Sequence, residues 1–181
     1  MAVVWLVRHA PVTVAGLCYG RLDVPTTCDA GAAATEIEGV ARGTERRWHQ
    51  IWASPSVRAR DVGVELSHRL GVPLHIDERL CELDFGAWEG RTHRDLERET
   101  PERYARWLQN YETEGPPHGE SAADLRRRVE AWLDERRRDG NTILAVTHAG
   151  VIRTARALRA GTGYGEQCRH PVEHLVPEAA P

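Results

Sequence analysis

Short apolar runs alternate with helix-compatible stretches along the whole chain, and two of those runs end in histidine. Val3-Val4-Trp5-Leu6-Val7 leads into Arg8-His9, and Ile143-Leu144-Ala145-Val146 leads into Thr147-His148. An apolar, β-branched run without polar alternation is the pattern of a strand buried on both faces, as in a parallel sheet. His49 to Ala53 and Pro73 to Asp77 read as further strands, and Val172 to Val176 as a last one. Between them lie helix signals. Residues 30–43 are Ala-rich behind Asp29, a suitable N-cap. Residues 56–70 space Val57, Val62, Val64, Leu66 and Leu70 helically after Ser54-Pro55-Ser56, which offers a cap, and stop at Gly71. Ser121 to Arg138 carries an apolar stripe of Leu125, Val129, Trp132 and Leu133, and Gly150 to Arg159 is a further helix. This order predicts an α/β three-layer sandwich around a mostly parallel central sheet. Ligands of such sheets sit beyond the carboxyl ends of the strands. Arg8-His9, Ser54 to Arg58 and Thr147-His148 are therefore expected at one site.

Residues 78–121 break the alternation with acids, Gly, Trp and charged helical stretches. They read as a lid insert over the sheet's edge, within a single domain spanning residues 1–181. Gly161-Thr162-Gly163-Tyr164-Gly165 reads as a loop. The content of 41% hydrophobic and 28% charged residues is that of a folded globular chain. No apolar run approaches the roughly 20 residues of a membrane span. The N-terminus lacks a basic leader and reads as a strand rather than a signal peptide. Cys18, Cys28, Cys81 and Cys168 form no C-x-x-C pair, which suits free thiols in a reducing cytoplasm.

A net charge of −3 argues against a nucleic-acid partner. All 24 basic side chains are arginine. A Schiff-base or P-loop lysine is thereby excluded, and any anion site must use Arg, His or backbone N–H groups. No cluster has metal-ligand spacing. One histidine alone is most often structural. Two at equivalent strand ends, with Arg8 and Arg58 nearby, make a cationic pocket whose guanidinium forks match phosphate oxygens. A neutral imidazole there is a nucleophile for phosphorus. The leaving oxygen needs a proton, for which Glu82 and Asp84 of Cys81-Glu82-Leu83-Asp84-Phe85-Gly86 are the candidates. By themselves those two acids are ordinary for a solvated loop.

Leu6-Val7-Arg8-His9, Ala53-Ser54-Pro55-Ser56-Val57-Arg58-Ala59, Leu80 to Gly90, Gly119-Glu120-Ser121 and Val146-Thr147-His148-Ala149-Gly150-Val151-Ile152-Arg153 together resemble the histidine phosphatase superfamily. The resemblance spans nearly the whole chain in the family's order. It implies His9 as the nucleophile, Arg8, Arg58 and His148 as phosphoryl ligands, and Glu82 as acid and then base. It adds Ala149, Tyr19 and Gly20 to the substrate-binding set. It implies no metal or cofactor and a small phosphorylated substrate; a homodimer stays open. Gly16 to Pro25 resembles the α-ribazole phosphatase branch. Broad-specificity or phosphosugar hydrolysis, and a non-catalytic phosphate-binding module, are the alternatives. Two family glycines read Ala10 and Ala149 here, and the loop after His9 is short and holds no Asn. Alanine at both positions implies that neither demands a positive φ. Trp88, Tyr104, Trp107 and Tyr111 are either lid packing or a wall for an apolar substrate group.

Overall fold

A computed structural model describes residues 3–42 and 47–180. Met1 and Ala2 of the N-terminal run, and Gly43 at the end of the expected first helix, lie outside them. Five strands form one sheet in the order β3-β2-β4-β1-β5. They are β1 (Val4–Arg8), β2 (Gln50–Ala53), β3 (Leu74–Ile76), β4 (Ile143–Thr147) and β5 (Glu178–Ala179). The first four run parallel, and β5 is antiparallel to β1. Central β4 is buried along its whole length, which its unbroken apolar sequence requires.

Side-chain alternation divides the core into two sheets of contacts. Val4, Leu6, Ile143 and Ala145 face α5 (Ala122–Arg138) and α6 (Ala149–Ala160). Val7, Ile51, Ala53, Leu144 and Val146 face α1 (Ala30–Ala41) and α2 (Val57–Leu70). The result is a three-layer α/β sandwich. Each Leu, Ile or Val so enclosed contributes about 1.5–3 kcal/mol through removal of apolar surface from water.

Local signals set the helix ends. The Asp29 side chain accepts the Ala32 N–H, and Gly71 closes α2 in the left-handed conformation. Ser121 and Asp124 form a reciprocal capping box at the start of α5. Ser56 precedes α2 without a side-chain cap, and its hydroxyl lies 3.4 Å from that of Ser54. Two further expectations are corrected. Val172 to Val176 is not a strand: Leu175 has φ +60°, only His174 bridges to Arg8, and the edge strand forms later at Glu178–Ala179. Gly161 to Gly165 is not wholly loop, since α7 (Tyr164–Gln167) starts within it.

Within 78–121, 3-10 turns at Glu78–Leu80 and Gly86–Trp88 lead to α3 (His93–Glu99) and α4 (Pro101–Asn110). Trp88, Leu96 and Tyr104 make a satellite core with Cys18 from the β1–α1 loop, and Trp107 packs against it. The lid aromatics Trp88 and Tyr104 are thus structural. All four cysteines are free.

Replacing the capping Ser121 by Ala leaves the Asp124 N–H at the start of α5 without its acceptor. Ser121→Ala should lower stability by about 1 kcal/mol and Tm by roughly 2–4 °C. An unchanged melting curve would mean that the capping box adds nothing to α5.

Candidate active site

The carboxyl ends of β1, β2 and β4 lie side by side, and the residues that follow them meet. His9 N–H donates to the Thr147 carbonyl oxygen at 3.0 Å, which extends the β1–β4 ladder by one residue. The His9 and His148 rings stand edge to face, 5.1 Å apart between centroids. Both are buried, at 2% and 0% exposure.

His9 Nδ1 lies 2.7 Å from the Ala10 carbonyl oxygen. A carbonyl only accepts, so Nδ1 bears the proton and Nε2 keeps its lone pair while the ring is neutral. Burial drives the His9 pKa down to about 3, and Arg58, Arg8 and His174 push the same way, against the Ala10 hydrogen bond. His148 is likewise held well below the usual histidine range, mainly by burial and next by His9. Its Nε2 is 2.9 Å from Ser54 Oγ, and its Nδ1 is buried without a partner. Ser54 Oγ also accepts the Ser56 N–H at 3.3 Å and has Ser56 Oγ and Cys81 Sγ within reach of its hydroxyl.

Arg58 reaches the site from the first turn of α2, with its side chain fully enclosed. Its two Nη atoms donate to the carbonyls of Tyr19, Gly20 and Leu22 and approach Asp23. The open fork expected from sequence is therefore already engaged, since four buried guanidinium hydrogens without acceptors would be costly. Only Arg58 Nε remains buried and unpartnered, as does Arg8 Nε. Arg8 Nη1 donates to the Val172 carbonyl at 2.9 Å. Tyr19 serves through its backbone carbonyl and a ring under the Arg58 guanidinium, 5.5 Å from the centroid. A Cβ on Gly20 would stand 1.7 Å from the Leu83 carbonyl oxygen, so only glycine fits there.

Three acids of the following loop have separate duties. Glu89 accepts the N–H groups of Arg21, Leu22 and Phe85 and staples the β1–α1 loop to the lid. Asp84 accepts the Gly86 N–H at 2.7 Å. Glu82 alone lies against the His148 side, its Oε2 accepting the Gly150 N–H at 3.0 Å and Oε1 the Leu83 N–H at 2.8 Å. A Cβ on Gly150 would fall 2.0 Å from Glu82 Oε1. Of the motif His148-Ala149-Gly150, the last position needs glycine, for close approach. Ala10 and Ala149 have no positive φ, which agrees with alanine at both. Ala149 opens α6, whose amino end faces this corner and favours negative charge.

Sequence reasoning passed over several residues that hold this geometry. Arg128 donates to the carbonyls of Arg79, Cys81 and Glu82 and to the Glu120 carboxylate, tying the Glu82 loop to α5. Arg128 sits three residues after Leu125 in the apolar stripe, and a charge so placed was the available signal. His174 was another, and Ser54, expected at the site, was read only as part of a helix cap and not as a partner of His148. Among the described residues no group of three His, Cys, Asp or Glu is placed to hold a metal ion. No helix among them is long and apolar enough to cross a membrane.

A family model for the histidine phosphatase superfamily (branch 1) matches residues 4–174. The chain belongs to the histidine phosphatase superfamily. It is 34% identical over 152 residues to the adenosylcobalamin/alpha-ribazole phosphatase of Salmonella typhimurium, covering 82% of this chain and 74% of that protein. It is 28% identical over 155 residues to phosphoserine phosphatase 1 of Hydrogenobacter thermophilus, covering 82% and 71%. The solved alpha-ribazole phosphatase of Shigella flexneri superposes with a TM-score of 0.84 at 26% identity, covering 98% of this chain and 89% of that one. These similarities support phosphatase activity in this histidine phosphatase.

Gly150→Ala should force the Glu82 carboxylate away from His148. A displacement of about 1 Å at a reacting group costs about a hundredfold in rate. Hydrolysis of an alkyl phosphate should fall by that order while the circular-dichroism spectrum stays native. Wild-type activity in this variant would separate Glu82 from the chemistry.

Proposed function

We propose that this chain is a phosphomonoester hydrolase working through phosphohistidine on a small phosphorylated metabolite. The observation that carries the reading is the meeting of His9 Nε2, kept as a lone pair, with buried unpartnered nitrogens on Arg8, Arg58 and His148, the last taken with its proton on Nδ1. An oxyanion would complete all three donors. His9 Nε2 attacks phosphorus, an Nε2–P bond forms, and the bond to the leaving oxygen breaks. Protonated Glu82 gives its hydrogen to that oxygen. Water then attacks phosphorus, Glu82 takes its proton, and the Nε2–P bond breaks to release phosphate. Arg8 and Arg58 lower the barrier by matching charge that grows on the equatorial oxygens. No step asks for a metal.

For the substrate, α-ribazole 5′-phosphate is our reading, supported by the names of the Salmonella and Shigella proteins. Its chemistry fits a pocket whose fixed elements all address the phosphoryl group. A screen including α-ribazole 5′-phosphate and phosphoserine, with EDTA throughout, distinguishes it from other monoesters by kcat/KM. Preference for another class would replace the substrate and leave the mechanism intact.

The roles of His9 and Glu82 separate cleanly. His9→Ala should lose several orders of magnitude in kcat, and rapid quench of wild-type enzyme with labelled substrate should leave acid-labile, base-stable label on His9. Glu82→Gln cannot donate a proton, so it should lose about 10²–10⁴ in kcat/KM on alkyl phosphates. With p-nitrophenyl phosphate, whose leaving group scarcely needs a proton, the loss should be far smaller. Equal losses on both, or about a tenth of turnover surviving in His9→Ala, would contradict these assignments.

A further inference from the structure

A third histidine flanks the nucleophile on the side away from His148. The segment after α7 folds back along the end of β1, where Arg8 and His174 pair through a parallel bridge. His148, His9 and His174 thus stand along the carboxyl edge of three neighbouring segments. The His174 ring is 5.7 Å from that of His9, again edge to face.

The position is built by several contacts. His174 Nδ1 donates to the His9 carbonyl oxygen at 2.6 Å. Two residues earlier, the Val172 carbonyl holds Arg8 Nη1. Next to His174, Leu175 takes φ +60° and donates its N–H to the Arg8 carbonyl at 3.0 Å. A left-handed leucine is strained, and the chain tolerates it while keeping His174 against the nucleophile. Because a carbonyl only accepts, Nδ1 carries a proton in every state, and Nε2 is the nitrogen that gains or loses charge. Among the described residues Nε2 has no hydrogen-bond partner, and the half-buried side chain is open to solvent.

We propose that His174 is a phosphoryl-binding histidine: Nδ1–H pins the nucleophile's backbone, and Nε2, when protonated, donates to the anion that docks on His9. This rests on the phosphatase reading above. The charged and titratable groups facing His174 are Arg8 and His9 from β1 and Glu173 from its own segment. Burial and Arg8 lower its proton affinity in the free enzyme, against the His9 carbonyl bond and Glu173. A bound dianion outweighs Arg8, so anion binding takes up a proton at Nε2. Affinity for a permanent dianion should therefore rise as pH falls through the His174 range. His9, with its pKa near 3, stays neutral there, and burial holds His148 well below the usual histidine range.

Sulfate stays dianionic across this range, so only the protein titrates. Its binding is measured by calorimetry, and by inhibition of aryl phosphate hydrolysis, between about pH 5 and 8. Asparagine places a donor where Nδ1 stood and nothing where Nε2 stood. His174→Asn should weaken sulfate binding about tenfold at the acid end and flatten its pH dependence. If that variant melts early, His174→Gln, with a neutral donor near the Nε2 position, should show the same flattening. Wild-type sulfate affinity at every pH in His174→Asn would overturn the proposal. So would a kcat lost in His174→Ala and fully restored in His174→Asn with sulfate binding unmoved, which is the mark of a backbone pin only. Calorimetry does not depend on turnover. An inert wild-type enzyme would therefore strike the phosphatase reading, whereas unchanged sulfate binding in an active enzyme strikes this proposal alone.

Discussion

His9 is almost wholly enclosed, two guanidinium groups stand beside it, and its Nδ1–H is spoken for by the Ala10 carbonyl. Burial and positive neighbours both disfavour the imidazolium. The hydrogen bond settles which nitrogen keeps the lone pair. In the mechanism we propose, a nucleophile is thereby held ready in a pocket that attracts anions, two demands that conflict for a negatively charged nucleophile and agree for a neutral one. The rest of the site is arranged around this condition. His148 too is held well below the usual histidine range, mainly by burial.

The guanidinium groups are held by carbonyls more than by acids. Arg58 donates to three backbone carbonyls of the Tyr19 to Leu22 loop, and Arg8 donates to Val172. Carbonyls orient a cation without cancelling its charge, so each arginine is fixed and still positive toward an incoming phosphate. The carboxylates of the lid loop are spent on architecture instead. Glu89 gathers three N–H groups, and Glu120 clamps Arg128, which in turn fixes the backbone of Glu82. Glu82 itself is left at the mouth of the site, seated on the first turn of α6.

Much of this was legible in the chain. The apolar runs ending at Val7 and Val146 located β1 and β4, and the rule that ligands collect at strand ends brought His9, Arg58 and His148 together before any coordinates. The acid needed the family motif, because Glu82, Asp84 and Glu89 look alike in sequence and differ only in which N–H groups they accept. Three things stayed hidden for physical reasons. Arg58's Nη atoms are occupied by a loop far from it in sequence. Ser54 has the composition of a helix cap, but a tertiary partner, His148, claims its hydroxyl. His174 sits in an apolar run that reads as a strand, and the positive φ of Leu175 that ends the pairing carries no glycine signal. The lid aromatics were ambiguous because packing and binding use the same residues; Trp88 and Tyr104 proved to pack on Cys18 and Leu96.

The central claim is that His9 is a neutral imidazole with its proton on Nδ1 in the free enzyme. Nitrogen-15 NMR of histidine-labelled protein, with His9 assigned by its loss in His9→Ala, reads charge and tautomer directly. The account predicts a neutral ring protonated at Nδ1 that does not titrate until pH approaches about 3. A His9 signal that titrates near the ordinary histidine value of about 6.5, or one whose proton sits on Nε2, would contradict it.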